Sequence, residues 1–179
     1  MINKGRLGNS WLFRYNKSMK NYADFYAHIS RPFVAKGREL NLLNQIITRL
    51  MYAVYPLFLT YLYLENSKAV LPYILIPGIS FVSLSLVRKA LNKPRPYETW
   101  DISPLLDKDS SGESLPSRHV FSATIISMCV LTVNVWMGLA LLLVSAILAF
   151  CRVVGGVHYP KDVVAGYGIG LILGLLLFL

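Results

Sequence analysis

VFSATIISMCVLTVNVWMGLALLLVSAILAFC, residues 120–151, carries no charged side chain over 32 residues. One straight helix of that length would run about 48 Å, against about 30 Å of hydrocarbon in a bilayer. The run must therefore fold back on itself. Asn134 is the strongest break signal near its middle. The stretch reads as a helical hairpin with arms over residues 119–133 and 136–152. Each arm is short for a crossing of about 20 residues, so the polar residues at the outer ends are expected close to the membrane surface.

Working outward, residues 46–64 form a first span with Arg49 near its start, and residues 65–68 (ENSK) a short turn. Residues 69–87 form a second span containing Pro72 and Pro77, which a membrane helix tolerates better than a soluble one. Residues 163–179 form a fifth span. Its small residues Ala165, Gly166, Gly168, Gly170 and Gly174 suit close helix packing. The expected fold is all-α, a multi-pass transmembrane bundle of five spans.

Composition agrees. Of 179 residues, 55% are hydrophobic and 15% charged, where a soluble domain carries about 25% charge. The net charge of +9 fits membrane topology and an anionic substrate better than nucleic acid. Cys129 and Cys151 lie in apolar runs and read as buried, unpaired thiols. The first 20 residues are basic and polar and lack the apolar core of a signal peptide, so no cleavable leader is expected. The chain divides into a basic, aromatic-rich segment over 1–45 and a transmembrane domain over 46–179. Residues 21–35 contain Asp24, His28 and Arg31 and make a poor crossing. They read either as an interfacial or partly inserted amphipathic helix, or as a helix packed on the rest of the domain. His28 has no partner in the sequence and reads as structural.

Parity of the spans narrows the site. The second span ends at Arg88, where the polar loop 88–118 begins. The third leaves that side at His119, the fourth returns to it at Arg152, and the fifth leaves again near Asp162. Three separated segments, 88–95, 117–119 and 152–162, therefore meet on one face. They bring Arg88, Lys89, Lys93, Arg95, Ser117, Arg118, His119, Arg152, His158 and Asp162 together. Cations driven into a bilayer cost about 2.5–3.5 kcal/mol each at its centre; an anion between them offsets that penalty and their repulsion. Arginine suits bidentate contact with phosphate. Pro116 and Pro160 each sit just before an apolar run, as at the first position of a helix. The free N–H groups of the turn after Pro116 make an anion site. Asp162 can reach back to His158, and a histidine held by a carboxylate suits a nucleophile or general base. His119 is placed to protonate a leaving oxygen.

These segments resemble the signature of the type 2 phosphatidic acid phosphatase family, K-x6-R-P, then P-S-G-H, then S-R-x5-H-x3-D. Arg88 with Arg95-Pro96, Pro116-Ser117-Arg118-His119, and Cys151-Arg152 with His158 and Asp162 match it in order and spacing. Three positions depart: Arg88 stands for Lys, with Lys89 one residue out of register, Arg118 for Gly and Cys151 for Ser. The resemblance implies that His158 attacks phosphorus to form a phosphohistidine, Asp162 orients it, and His119 protonates the leaving group. Arg88, Arg95, Ser117, the Arg118 backbone and Arg152 would hold the phosphate. It implies no metal and no cofactor. Glu98, Asp101, Asp107, Asp109 and Glu113 of the polar loop read as solvated surface rather than a metal site.

The expected function is a membrane lipid phosphatase acting on phosphatidic acid, phosphatidylglycerol phosphate or a polyprenyl diphosphate. The alternatives are a phosphoryl or headgroup transferase with the same site, and a non-enzymatic anionic-lipid binder or transporter. The expected partners are the lipid substrate and membrane lipids. The family's sites face outside the cell or into a lumen, and the extracytoplasmic face is expected here. The basic residues crowd the catalytic face, which the positive-inside rule would place in the cytoplasm; a further crossing near residues 21–35 would move the first five of them across.

Overall fold

The computed structural model describes residues 22–65, 70–108 and 111–179, and among these there are helices and no strand. Helix α1 covers residues 22–30, and a 3-10 turn at Arg31–Lys36 leads into α2 (Gly37–Glu65). Then follow α3 (Val70–Leu91), the single turn α4 (Pro96–Thr99), α5 (Arg118–Leu131), α6 (Val135–Val154) and α7 (Pro160–Gly174), which ends in a 3-10 turn at Leu175–Phe178.

Four helical stretches are long and apolar enough to cross a membrane: Tyr22–Glu65, Val70–Thr99, Val135–Val154 and Pro160–Phe178. The fifth expected span, α5, has 14 residues, a length of about 21 Å. Its position accounts for its shortness. Ten of its residues, among them Val120, Phe121, Thr124 and Cys129, are buried, because α2, α3, α6 and α7 all pack on it. A helix wrapped in protein has no bilayer thickness to match. Its polar groups are satisfied locally: Thr124 donates to the Val120 carbonyl, and Ser127 to that of Ala123 while lying 3.1 Å from Ser145 Oγ. The outer helices expose Leu57, Leu64, Leu86 and Leu143, as lipid-facing surfaces do. Cys129 and Cys151 are both buried and free.

The hairpin turns at residues 132–134. Asn134 caps α6 by accepting from the Met137 N–H at 2.9 Å, the usual chemistry of a helix start. The first span begins at Gly37, nine residues before Ile46, because the helix continues into the mixed-polarity segment. Residues 1–21 lie outside the described residues. From residue 22 onward the N-terminal segment packs on the domain. Tyr26 is buried, with its hydroxyl on the Ser103 carbonyl at 3.1 Å. Tyr22 stacks 5.2 Å from Trp100 and 4.8 Å from Tyr159.

Helix α7 meets α5 through glycines four apart. A Cβ on Gly166 would fall 2.5 Å from the Ser117 carbonyl, one on Gly170 2.8 Å from Thr124, and one on Gly174 2.5 Å from Met128. Gly168 faces open space and takes no part. Gly166→Ala is therefore expected to push apart the two helices that carry the site. Overpacking of this kind costs about 1–3 kcal/mol. The variant should show both a lower unfolding temperature in detergent and reduced turnover, whereas Gly168→Ala should show neither.

Candidate active site

The polar ends of α3, α5, α6 and α7 converge. Arg88 closes α3 and is buried, while its neighbour Lys89 is exposed. Arg95 precedes α4, and its N–H donates to Glu98 at 2.7 Å. The start of α5 is tied to α7 by a 2.8 Å bond from Ser117 N–H to the Asp162 carbonyl. Arg152 lies in the last turn of α6. Gly156, at φ +77°, lets the chain turn sharply there. The His158 N–H then bonds the Arg152 carbonyl at 3.3 Å. Pro160 is the first residue of α7, and Asp162 accepts from the Tyr159 N–H at 3.1 Å. Pro116 differs from expectation: α5 starts at Arg118 with Ser117 as its cap, so this proline precedes the helix by two residues.

His158 and Asp162 are 1% or less exposed. Their facing atoms, Nδ1 and Oδ2, lie 3.6 Å apart, longer than a hydrogen bond. The Ser114 hydroxyl stands between them. It donates to Asp162 Oδ2 at 2.5 Å and lies 3.4 Å from His158 Nδ1. A hydroxyl that donates to the carboxylate still has lone pairs for a ring N–H, which makes a relay from His158 through Ser114 to Asp162. Ser114 escaped the sequence reading. Its only signal is a place two residues before Pro116, and the nearby Ser110 and Ser111 look no different by composition.

Three guanidiniums are buried among these residues. Arg88, Arg95 and Arg152 are each buried, and Asp162 is the only buried carboxylate among the described residues. Arg88 Nε donates to the Glu113 carbonyl at 3.1 Å, and its Nη2 reaches the same oxygen. Arg95 Nε donates to the Gly112 carbonyl at 3.0 Å. Residues 111–114 thus roof the site and fix the planes of two arginines. Glu98 holds this roof by accepting from Gly112 N–H at 3.0 Å and from the Ser111 hydroxyl. Ser117 Oγ is buried with no hydrogen-bond partner among the described residues, as a group reserved for a ligand would be.

Burial pushes the His158 pKa down to about 4, and the Arg152 and Arg95 charges push the same way; Asp162 opposes them. The imidazole is thus neutral at ordinary pH. Unfolded, it would titrate at about 6.5. The unfolded chain binds the extra proton first, so this contribution to stability is full above about pH 6.5 and is lost as pH falls towards 4. The unfolding temperature should fall across that window. His158→Gln, which lacks the titrating group, should show a shallower fall.

His119 borders a small crevice beside Thr48, Met51 and Tyr52 of α2. Arg118 is exposed and lies over the Phe81 ring of α3, 5.8 Å from its centroid. His28 is exposed on α1. Among the loop carboxylates, Asp107 accepts from Asn41 at 2.7 Å, and Glu98 is the structural clamp just described.

The PAP2 superfamily pattern matches residues 69–179, which include all three charged segments. The chain belongs to the PAP2 superfamily. One relative is undecaprenyl-diphosphatase BcrC of Bacillus subtilis (strain 168). It is 26% identical over 136 residues, 74% of this chain and 70% of that protein. Among solved structures, LpxE of Aquifex aeolicus superposes with a TM-score of 0.62 at 25% identity, covering 81% of this chain and 93% of that one. The PAP2 match begins at residue 69, so α1, α2 and the aromatic packing of Tyr22 and Tyr26 lie outside it.

Proposed function

We propose that this chain is a membrane phosphatase that releases phosphate from a lipid phosphomonoester or diphosphate at the extracytoplasmic surface. The observation that carries the reading is a buried His158 that stays neutral beside the charges of Arg152 and Arg95, with a third buried cation, Arg88, held on the Glu113 carbonyl of the loop that carries Ser114. A phosphate dianion compensates the buried cations and presents its phosphorus to an uncharged imidazole. BcrC, named as an undecaprenyl-diphosphatase, makes a polyprenyl diphosphate the first substrate to test; phosphatidic acid and phosphatidylglycerol phosphate follow.

In this reading Nε2 of His158 bonds to phosphorus as the P–O bond to the leaving group breaks. The electron pair stays on the leaving oxygen, which takes a proton from His119. Water then attacks the phosphohistidine, His119 receives its proton, and inorganic phosphate leaves. Ser114 and Asp162 hold the imidazole, and the arginines neutralise the equatorial oxygens. Each role is filled by a side chain or backbone group, so activity is expected to withstand EDTA. The test is phosphate release by the purified protein from the three lipids, with acid-labile labelling of His158 in a rapid quench. Binding of those lipids without turnover would sink the proposal. Labelling of a cysteine placed at Lys108 by an impermeant reagent in intact cells tests the sidedness.

A further inference from the structure

We propose that Arg118 binds the inner phosphate of a lipid diphosphate and makes the enzyme selective for diphosphates over monoesters, an assignment that rests on the phosphatase reading above. Arg118, Phe121, Ser122 and Ile125 are spaced i, i+3, i+4 and i+7 along α5, which puts them on one helix face. Phe121, Ser122 and Ile125 line a groove of about 290 Å³ between α2 and α3, together with Tyr52, Gly78 and Phe81. Arg118 continues that stripe at its polar end and lies over Phe81, a wall of the same groove. The crevice beside His119 shares Tyr52 and Ser122 with the groove. The proton donor to the leaving group therefore adjoins the groove's polar end. The groove takes the first stretch of the substrate's hydrocarbon chain, and the remainder stays in the bilayer.

The chemistry separates the two substrate classes. With a monoester, the oxygen released from phosphorus belongs to an alcohol, and the proton from His119 leaves it neutral. With a diphosphate, the bond broken is from the terminal phosphorus to the bridging oxygen. The leaving group is then a lipid monophosphate, whose negative charge grows as the bond breaks. A guanidinium beside that phosphate meets the growing charge with two parallel N–H bonds. Arg88, Arg95 and Arg152 are buried, and in the phosphatase reading they hold the terminal phosphate. Arg118 is exposed at the groove, where the inner phosphate would lie.

The test compares kcat/KM for a polyprenyl diphosphate and for phosphatidic acid in wild type, Arg118→Gln and Arg118→Gly. The glutamine keeps the length of an exposed side chain and guards against a folding artefact. The ratio of diphosphate to monoester is expected to fall about tenfold or more in both variants, and Arg118→Lys should restore part of it. A ratio that stays at the wild-type value, or losses equal on the two lipids, would overturn the assignment while leaving the phosphatase intact. A wild-type protein inactive on both lipids would instead refute the underlying activity.

Discussion

His158→Ala should reduce phosphate release by at least about ten-thousand-fold, since removal of a nucleophile leaves only binding and electrostatic stabilisation to act. His158 sits in the turn between α6 and α7 and is held by its backbone bond to the Arg152 carbonyl, which alanine retains. The substitution also removes a buried group whose protonation the fold opposes. The variant should therefore elute and unfold as a folded membrane protein. With Arg88, Arg95 and Arg152 in place, inorganic phosphate should still bind, readable as protection against unfolding. Phosphate release near the wild-type rate would remove the enzyme altogether. Loss of release together with loss of phosphate binding would mean that the pocket had collapsed.

The second large effect is expected at Asp162. Its Oδ2 receives both the Ser114 hydroxyl and the Tyr159 N–H. Asp162→Asn keeps the shape but removes the charge that steadies an imidazole about to become cationic on phosphorylation. Comparable losses of a carboxylate behind a catalytic histidine reach about ten-thousand-fold, and roughly 100- to 10,000-fold is expected here. Ser114→Ala should cost less, about tenfold, because the carboxylate remains. The informative measurement is the double variant. If Ser114 acts only through Asp162, Ser114→Ala/Asp162→Asn should be no slower than Asp162→Asn alone. Multiplicative losses would show that the hydroxyl has a separate task.

Much of this was legible in the sequence. The charge-free run 120–151, with Asn134 at its centre, dictated the α5–α6 hairpin, because no single helix of that length fits a bilayer. Span parity then brought Arg88, Arg95, Ser117, Arg152, His158 and Asp162 to one face. Of the residues that the parity argument placed on one face, the structure buries these six, joins His158 to Asp162 through Ser114, and leaves Lys89 and Arg118 exposed. The burial of α5 was not legible, since its apolar residues read alike whether they face lipid or protein. Nor was the roof over the arginines. It is made by carbonyls of Gly112 and Glu113, and every residue type has a carbonyl. The start of α2 at Gly37 was missed because charged residues there mask a helix whose neighbour is protein.

The roof also bears on how the loop can vary between relatives. The acceptors that orient Arg88 and Arg95 are main-chain atoms, so exchanging the side chain at 111 or 113 does not delete them. What must persist is the left-handed backbone at Gly112 (φ +64°) and Glu113 (φ +50°). At Gly112 a Cβ would also strike Asn92, 2.3 Å from its Oδ1. One glycine therefore insulates the anion-holding geometry from drift in its surroundings. The loop can diversify its outward chemistry while the cations beneath keep their aim.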